Sequence, residues 1–535
     1  MAYRFATVIV ILVSAYAFLL FHLYQVQLVK GGYYLAKADS ETAASTAATA
    51  NRGAIYFTDK DGKTLPAALN QNFETIWASP KDVVDPASAA AALAPILNMP
   101  ESTLAGIFIK PNDTYETLVK KADDPVAQAV TDANIKGVYV DLAPERFDPL
   151  GTVGSQVLGY VGPNASNNGE SGHYGVEGFY NTALNGGSDV TLTIDPNIQI
   201  EAEKILDALV TANNASGGSV IVEDPQTGKI LAMGGDPSFD PNDYGSSPLA
   251  NFLNTDVQAV YEPGSIFKVL TMAAGIDAGK ITPDTTYDDK GYVNVSKAHI
   301  TNYDLTTHGP YGPGTTMTEV IEHSINTGAI YAENQTGNPI FLSYMKKFGL
   351  DEKTGIDLPG EVGGNLSQLT PKAPQVSWDT AAYGQGAAVT PIGLVTVIAG
   401  IANGGVMMRP YINAGSSPQI IRRAISTSTA QQVTQMMVDA VDKAQVASID
   451  GYSLAGKTGS AYMPDLVHGG YLNQLTDSYI GFGPTSNPRF IAFIRLNTLP
   501  VTALAAQSVV PAFKALSQYI INYYNIPPDR ITQSQ

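Results

Sequence analysis

Cysteine is absent from the 535-residue sequence, and histidine is scarce. The lack of cysteine excludes thiol catalysis, disulfide bonds and cysteine-ligated metal sites in one step. The six histidines are scattered, and no two of them have the helical spacing that is typical of metal ligands. The sequence therefore predicts no metal site and no cofactor.

Positive charge is also in short supply. Lysine and arginine number 31 against 49 aspartates and glutamates, which gives a formal net charge of −18. Because a protein that binds phosphate backbones presents a basic face, this balance argues against a nucleic-acid partner. The acidity instead fits a protein that stays soluble through its net charge.

Charged residues are missing altogether from one stretch near the N-terminus, Phe5–Val29. About 20 apolar residues span the core of a bilayer, so this stretch is long enough for a transmembrane helix. A cleavable signal peptide is the alternative, because Ala15–Ala17 resembles a cleavage site, but the apolar run continues beyond it. Arg4 supplies a positive cytoplasmic flank. We therefore expect a single-pass anchor in the cell membrane, at residues 1–29, with everything after Lys30 outside the cytoplasm.

The rest of the chain predicts an α+β architecture. Its length and its 44% hydrophobic content allow two to four domains with sizeable cores. A small polar stretch, Asn185–Val190, marks a boundary between a domain at 30–187, which mixes short helices and strands, and a second domain at 188–535. Strand-like segments of the second domain flank a helix-rich middle, Ser265–Ala402, which predicts one sheet built from both ends of that domain.

Local signals predict particular elements. Asp85 and Asp195 each precede a proline at a helix start. A turn containing proline and glycine at 225–228 joins two segments rich in β-branched residues, which predicts a hairpin. The last helix is expected at 501–524, kinked or interrupted at Pro511. Three further strands are expected at 451–463, 478–484 and 489–496.

Ser265 lies directly behind a Pro-Gly turn in the segment EPGSIFK, and helix formers follow it as far as Gly279. Residues three apart share a helix face, so the amine of Lys268 can reach the hydroxyl of Ser265. A serine becomes a nucleophile when a neighbouring base removes its proton. Lysine serves as that base only if its pKa falls from about 10.4 towards roughly 7, which burial beside another cation brings about. The pair therefore predicts a nucleophile and its base.

Two further motifs follow in order, Ser-x-Asn and then Lys-Thr-Gly. Taken singly, their residues have ordinary structural readings as helix caps, strand residues or local hydrogen bonders. The ordered set of three motifs is specific, and it resembles the penicillin-recognising serine transferases, which include penicillin-binding transpeptidases and serine β-lactamases. The site residues that the motifs supply are Ser265, Lys268, Ser324, Asn326, Lys457, Thr458, Gly459 and Ser460.

The resemblance implies a role for the third motif on an edge strand. Lys457 lies near Lys268 in that family and provides positive charge for the carboxylate of the substrate. Thr458 supplies a hydroxyl to the same group, and Gly459 belongs to the same substrate-binding strand.

The resemblance also implies how the remaining groups act. Ser324 relays a proton to the leaving group, and Asn326 orients the amide of the substrate. The backbone N–H groups of Ser265 and Ser460 form an oxyanion hole, which stabilises the charge that develops on the reacting carbonyl.

Sequence outside the motifs extends the resemblance over almost the whole chain. The segments at 51–62, 146–162 and 174–187 are similar to the non-catalytic pedestal, or dimerisation-type domain, of class B penicillin-binding proteins. Those at 216–244 and 383–405 are similar to their transpeptidase domain. No segment resembles a glycosyltransferase domain, which argues against class A.

The resemblance implies a peptidoglycan D,D-transpeptidase. Ser265 would be acylated by the penultimate D-Ala of a stem peptide with release of the terminal D-Ala, and the acyl group would pass to an amine of a neighbouring stem. β-Lactams would trap the same serine. The compact pedestal favours the cell-division type over the elongation type. Either type would partner a membrane glycan polymerase and proteins of the division or elongation complex.

Three other functions remain open at this point. A β-lactamase needs a second base, for which Glu361 is a candidate, although a secreted hydrolase has no use for an anchor and a pedestal. A β-lactam sensor and a division scaffold without turnover are non-enzymatic alternatives. All catalytic positions are filled, which argues against the scaffold.

Overall fold

The computed structural model describes residues 52–166, 169–465, 467–501 and 504–530. The anchor predicted at residues 1–29 lies outside them. Within the described ranges, no helix is both long and apolar enough to cross a membrane. The described chain forms two mixed α+β domains, and each is built on a five-stranded sheet. The predicted fold class is confirmed at this level.

One long strand, β2, organises the N-terminal domain. Its first residues pair with β1, the rest pairs with β4, and its last residues also pair with β3, always antiparallel. The short β7 adds to β1 in parallel. The strands are β1 Ile55–Thr58, β2 Thr64–Ala78, β3 Glu116–Ala122, β4 Val138–Phe147, β5 Tyr160–Pro163, β6 Glu170–His173 and β7 Val190–Thr191. The helices are α1 Pro86–Leu97, α2 Glu101–Phe108, α3 Asp124–Ala133, α4 Ser155–Leu158, α5 Gly175–Phe179 and α6 Asn181–Asn185.

A buried ion cluster ties distant segments of the N-terminal domain together. Glu177, which is 1% exposed, accepts a hydrogen bond from Arg52 Nε at 2.8 Å and one from Arg146 Nε at 2.7 Å. Arg52 also donates to Asn181 Oδ1 at 2.9 Å, and Arg146 donates to the Gly53 carbonyl at 2.9 Å. Because buried charges are stable only when they are paired, the cluster fixes these segments to one another.

The C-terminal domain has an antiparallel sheet in the order β16-β17-β18-β8-β9, with β16 at one edge. Helices α7 and α16 pack together against one face. Helices α9, α14 and α15 lie in the core on the other face. The strands are β8 Gly217–Asp224, β9 Lys229–Asp236, β10 Thr286–Asp289, β11 Tyr292–Val295, β12 Ala298–Thr301, β13 Gly312–Thr316, β14 Val406–Met408, β15 Ile420–Arg423, β16 Ala455–Pro464, β17 Tyr471–Gly483 and β18 Phe490–Pro500. The helices are α7 Pro196–Asn213, α8 Thr255–Gln258, α9 Phe267–Asp277, α10 Met317–Glu322, α11 Asn326–Thr336, α12 Asn338–Lys347, α13 Gln375–Ala381, α14 Pro391–Ala402, α15 Thr427–Ala444 and α16 Val509–Tyr523.

Most of the local predictions are confirmed. Asp85 caps α1 by accepting from Ser88 N, and Asp195 caps α7 by accepting from Asn197 N. The hairpin β8–β9 and the strands β16 and β18 lie close to where they were expected, whereas β17 begins earlier than predicted, at Tyr471 rather than at 478. The last helix is a correction, because it begins at Val509 rather than at 501. Pro511 lies in the first turn of α16, where backbone N–H groups have no partner within the helix, and the helix runs through it without interruption.

Candidate active site

The turn that carries Ser265 is a short 3-10 segment, Gly264–Ile266, which leads directly into α9. Gly264 has a φ of +55°, a conformation that favours glycine. A Cβ atom at this position would lie 2.5 Å from the carbonyl oxygen of Ser460. The glycine therefore allows the edge strand β16 to pass directly beside the serine.

Lys268 is completely buried in the first turn of α9. Its Nζ lies 3.0 Å from Ser265 Oγ and 3.2 Å from Ser324 Oγ, and it also donates to the Ser324 carbonyl. Burial lowers the pKa of Lys268 well below its ordinary value, and the positive charge of Lys457 acts in the same direction. Asp304 opposes both with its negative charge. An amine with so low a pKa is neutral at a pH where an exposed lysine is charged.

Ser324 lies between α10 and α11 with a φ of +57°, which is uncommon for a residue other than glycine. This backbone is the kind of strained conformation that surrounding contacts must hold in place. Those contacts include Lys457, whose Nζ donates to Ser324 Oγ at 2.9 Å. The Ser324 hydroxyl therefore lies between two lysine amines.

The edge strand β16 carries the third motif. Lys457 is 4% exposed, and burial lowers its pKa to about 7. Its Nζ lies 3.2 Å from Thr458 Oγ1. Among the described strands β16 pairs only with β17, and its other side approaches the turn that carries Ser265. An edge strand with a free backbone is available to pair with an extended peptide.

Gly459 makes that close approach possible. A Cβ atom on Gly459 would lie 2.5 Å from the Pro263 carbonyl oxygen and 2.5 Å from Ser478 Oγ. The next residue, Ser460, donates from Oγ to Asp477 Oδ1 at 2.5 Å. The strand is thus held against the turn that carries Ser265 on one side and against β17 on the other.

Asn326 stands apart from these contacts. Its Nδ2 donates to the Thr301 carbonyl at 2.9 Å, at the start of α11. The structure therefore joins five predicted residues in one chain of hydrogen bonds, places Gly459 and Ser460 beside it, and engages the Asn326 amide with β12 instead. The five are Ser265, Lys268, Ser324, Lys457 and Thr458.

Two carboxylates bear on the site: one supports Ser460, and the other is the candidate second base of a β-lactamase. Asp477 is fully buried beneath Ser460 and was not singled out from the sequence. It lies opposite Ser460 only in the β16–β17 register that the structure shows, so no local sequence signal marked it. Glu361, the candidate second base, accepts from Thr354 N and Thr354 Oγ1, each at 2.6 Å, and from Gly355 N at 3.0 Å. Both of its oxygens are engaged in ordering that loop.

Comparison with known proteins gives the family. The penicillin binding protein transpeptidase domain matches residues 218–518, and the penicillin-binding protein dimerisation domain matches residues 47–203. A serine, a buried lysine and an edge strand in contact are the components of a serine acyltransferase. The chain belongs to the penicillin-binding protein family, as a class B member with one dimerisation domain and one transpeptidase domain.

Named relatives and a solved structure agree with this assignment. Stage V sporulation protein D of Bacillus subtilis is 30% identical over 495 residues, which cover 83% of this chain and 74% of that protein. Peptidoglycan D,D-transpeptidase FtsI of Escherichia coli K12 is 26% identical over 564 residues, covering 99% and 93%. The crystal structure of penicillin binding protein 3 of Mycobacterium tuberculosis with aztreonam has the same fold, with a TM-score of 0.67 at 22% identity over 91% of this chain and 98% of that one. The expectation of a D,D-transpeptidase is confirmed.

Proposed function

We propose that Ser265 is the acyl-carrying nucleophile of this transpeptidase and that the enzyme cross-links peptidoglycan stem peptides during cell division. The observation that carries the proposal is the completely buried Lys268, whose Nζ lies 3.0 Å from Ser265 Oγ. Burial of a charged lysine costs stability, so a buried lysine favours its neutral form. A neutral amine in contact with a hydroxyl can accept the hydroxyl proton.

Acylation follows from these contacts. Neutral Lys268 takes the proton of Ser265 as Oγ attacks the carbonyl carbon of the penultimate D-Ala. The N–H groups of Ser265 and Ser460 stabilise the oxygen that becomes negative. The C–N bond to the terminal D-Ala then breaks, and the Ser324 hydroxyl passes the proton from Lys268 to the leaving amine.

Substrate orientation falls to the edge strand and to the second motif. The charge of Lys457 and the hydroxyl of Thr458 bind the carboxylate of the terminal D-Ala. The extended stem peptide pairs with β16, which Gly459 allows to lie close to the turn that carries Ser265. When the substrate binds, the Asn326 side chain gives up its hydrogen bond to the Thr301 carbonyl and holds the amide of the substrate. β-Lactams acylate the same serine, because they present a reactive amide and a carboxylate in the same relation.

The second half-reaction consumes the acyl-enzyme. The amine of a neighbouring stem attacks the ester carbon, the bond to Ser265 Oγ breaks, and the serine recovers its proton through Lys268. The products are a new peptide cross-link and free enzyme.

The domain plan supports work at the membrane surface. We assign residues 1–29 to a cytoplasmic tip and a single membrane anchor, 30–187 to the pedestal and 188–535 to the transpeptidase domain, with both domains outside the cytoplasm. The anchor and pedestal are the surfaces that would contact a glycan polymerase and division proteins. The compact pedestal favours septal over side-wall synthesis.

The test uses the full chain in detergent with glycan strands that carry pentapeptide stems. Wild type should release D-Ala and form cross-links, penicillin should block both, and Ser265→Ala should do neither. Cross-linking by Ser265→Ala would refute the nucleophile. A fluorescent fusion in dividing cells should concentrate at the septum, whereas a fusion spread along the side wall would favour the elongation role.

A further inference from the structure

The segment between β12 and β13 lies against the Ser-x-Asn motif. Asn326 Nδ2 donates to the Thr301 carbonyl at 2.9 Å. One residue further along each segment, Thr327 N donates to Asn302 Oδ1 at 3.1 Å. The chain that leaves β12 is therefore fixed to the start of α11, beside the predicted proton relay.

Asp304 is placed by this segment, two residues beyond Asn302. Tyr311 OH donates to Asp304 Oδ2 at 2.6 Å, and the Tyr311 ring lies 4.8 Å from the ring of His323, measured between centroids. His323 directly precedes Ser324 in the chain. The hydrogen bond from Tyr311 and the attachment of Asn302 to α11 thus hold the carboxylate next to the motif. Burial lowers the pKa of Lys268, and the negative charge of Asp304 acts in the opposite direction.

One oxygen of Asp304 remains available. Oδ2 is taken by Tyr311, whereas Oδ1 makes no hydrogen bond within the described residues, and the side chain is only half-buried. The neighbouring residue Tyr303 is 68% exposed. A partly exposed carboxylate with an oxygen left over is a suitable partner for an ammonium group, because hydrogen bonds between charged groups are strong.

Acyl transfer needs such a site. The donor carboxylate is assigned to Lys457 and Thr458 on β16, whereas the acceptor arrives as an ammonium ion that a charged Lys457 would repel. Resting on the proposed function, we propose that Asp304, held by Tyr311, binds the ammonium group of the acceptor stem peptide. Asp304 binds and orients this ammonium group but does not take its proton. The ammonium loses one proton to solvent, and the amine passes a second through Lys268 to the Ser265 oxygen as the ester breaks.

The proposal is tested by separating acylation from transfer. The full chain in detergent is given a thioester donor that acylates the serine. Transfer of the acyl group to each of three acceptors is then measured at neutral pH: water, a stem peptide with a free side-chain amine, and hydroxylamine. Hydroxylamine is an uncharged nucleophile at that pH, so its transfer needs no carboxylate. Loss of a hydrogen bond to a charged group weakens binding of that group by about tenfold.

Asp304→Asn should lower transfer to the stem-peptide amine about tenfold, and leave penicillin acylation, hydrolysis and hydroxylamine transfer within about twofold. Tyr311→Phe should give a smaller loss in the same reaction, because the carboxylate is less well held. Asp288→Asn, an exposed change of equal charge on β10, is the matched control and should behave as wild type.

Two results would overturn the acceptor site. The first is unchanged transfer in Asp304→Asn, and the second is an equal fall in acylation, hydrolysis and both transfers, which would show that Asp304 supports the whole site. Failure of wild type to be acylated by the thioester is a separate outcome, because it would refute the proposed function itself.

Discussion

Lys268 and Lys457 contact the same hydroxyl, Ser324 Oγ, at 3.2 and 2.9 Å. Both side chains are buried, and both pKa values are lowered. Two ammonium groups so close in a buried site repel each other strongly, so protonation of one opposes protonation of the other. The arrangement separates two tasks, because one lysine can be the neutral base while the other keeps the charge that a carboxylate needs.

The pH dependence of acylation follows from this arrangement. Burial sets the pKa of Lys457 at about 7, so the free enzyme loses this charge as the pH rises through that value. Lys268 is neutral down to a pH well below the range of an ordinary lysine. We expect kcat/KM for a substrate with a carboxylate to rise as Lys268 loses its proton and to fall above about pH 7. An ester donor without the carboxylate should lack the falling limb, and a rate that still rises to pH 10 with both donors would contradict the assignment.

Removal of the amine of Lys268, the proposed base, should slow acylation without unfolding the protein. Lys268→Met replaces a buried amine by an apolar chain of similar length, and the loss of a general base costs about 10²–10⁴-fold in rate. Stopped-flow acylation by a fluorescent penicillin measures this loss. Lys280→Met, at an exposed site beyond α9, is the control and should acylate like wild type. A variant at 268 with the wild-type rate would require another base.

The glycine of the third motif should tolerate no side chain. In Gly459→Ala the new Cβ would lie 2.5 Å from both the Pro263 carbonyl oxygen and Ser478 Oγ, so β16 must move away from the nucleophile turn. We expect acylation to fall by about 10²-fold, because a misplacement of about 1 Å has an effect of this size. Gly106→Ala on α2 meets no atom within 4 Å and should leave the acylation rate unchanged. Normal acylation of Gly459→Ala would show that the strand can retreat without harm.

The buried cluster around Glu177 should dominate the stability of the N-terminal domain. Glu177→Gln leaves Arg52 and Arg146 without their shared counter-charge, and breaking a buried ion pair costs about 3–5 kcal/mol. In a Trp378→Phe background, the fluorescence of Trp77 on β2 reports denaturant unfolding of this domain alone.

Glu101→Gln, an exposed change on α2, is the control for that experiment. Its transition midpoint should match the background. If Glu177→Gln also unfolds at the same denaturant concentration, the cluster contributes little and the domain is held by its apolar core.

Local rules account for much of what could be predicted. The caps at Asp85 and Asp195 and the β8–β9 hairpin follow from residues close in sequence, and all three are confirmed. The three motifs predicted the site residues, and the structure joins five of those residues by hydrogen bonds. The start of α16 was predicted at 501, whereas the helix begins at Val509. An apolar stretch alone does not distinguish a helix from packed turns.

Contacts between distant residues were not accessible in the same way. Arg52 meets Glu177 across 125 residues, and Gly459 packs against Pro263 only because β16 and the nucleophile turn converge in the folded domain. Asp304 carries no local signal either, since its position depends on how the β12–β13 segment folds against α11. Such approaches depend on tertiary packing rather than on propensity or periodicity.

Intact-mass spectrometry of the full chain in detergent with benzylpenicillin tests the central claim most directly. The account predicts one covalent adduct that persists for hours, maps to the peptide containing Ser265 and disappears in Ser265→Ala. An adduct that is hydrolysed within minutes would instead indicate a β-lactamase. An adduct that remains in Ser265→Ala, or none in wild type, would contradict the assignment of the nucleophile.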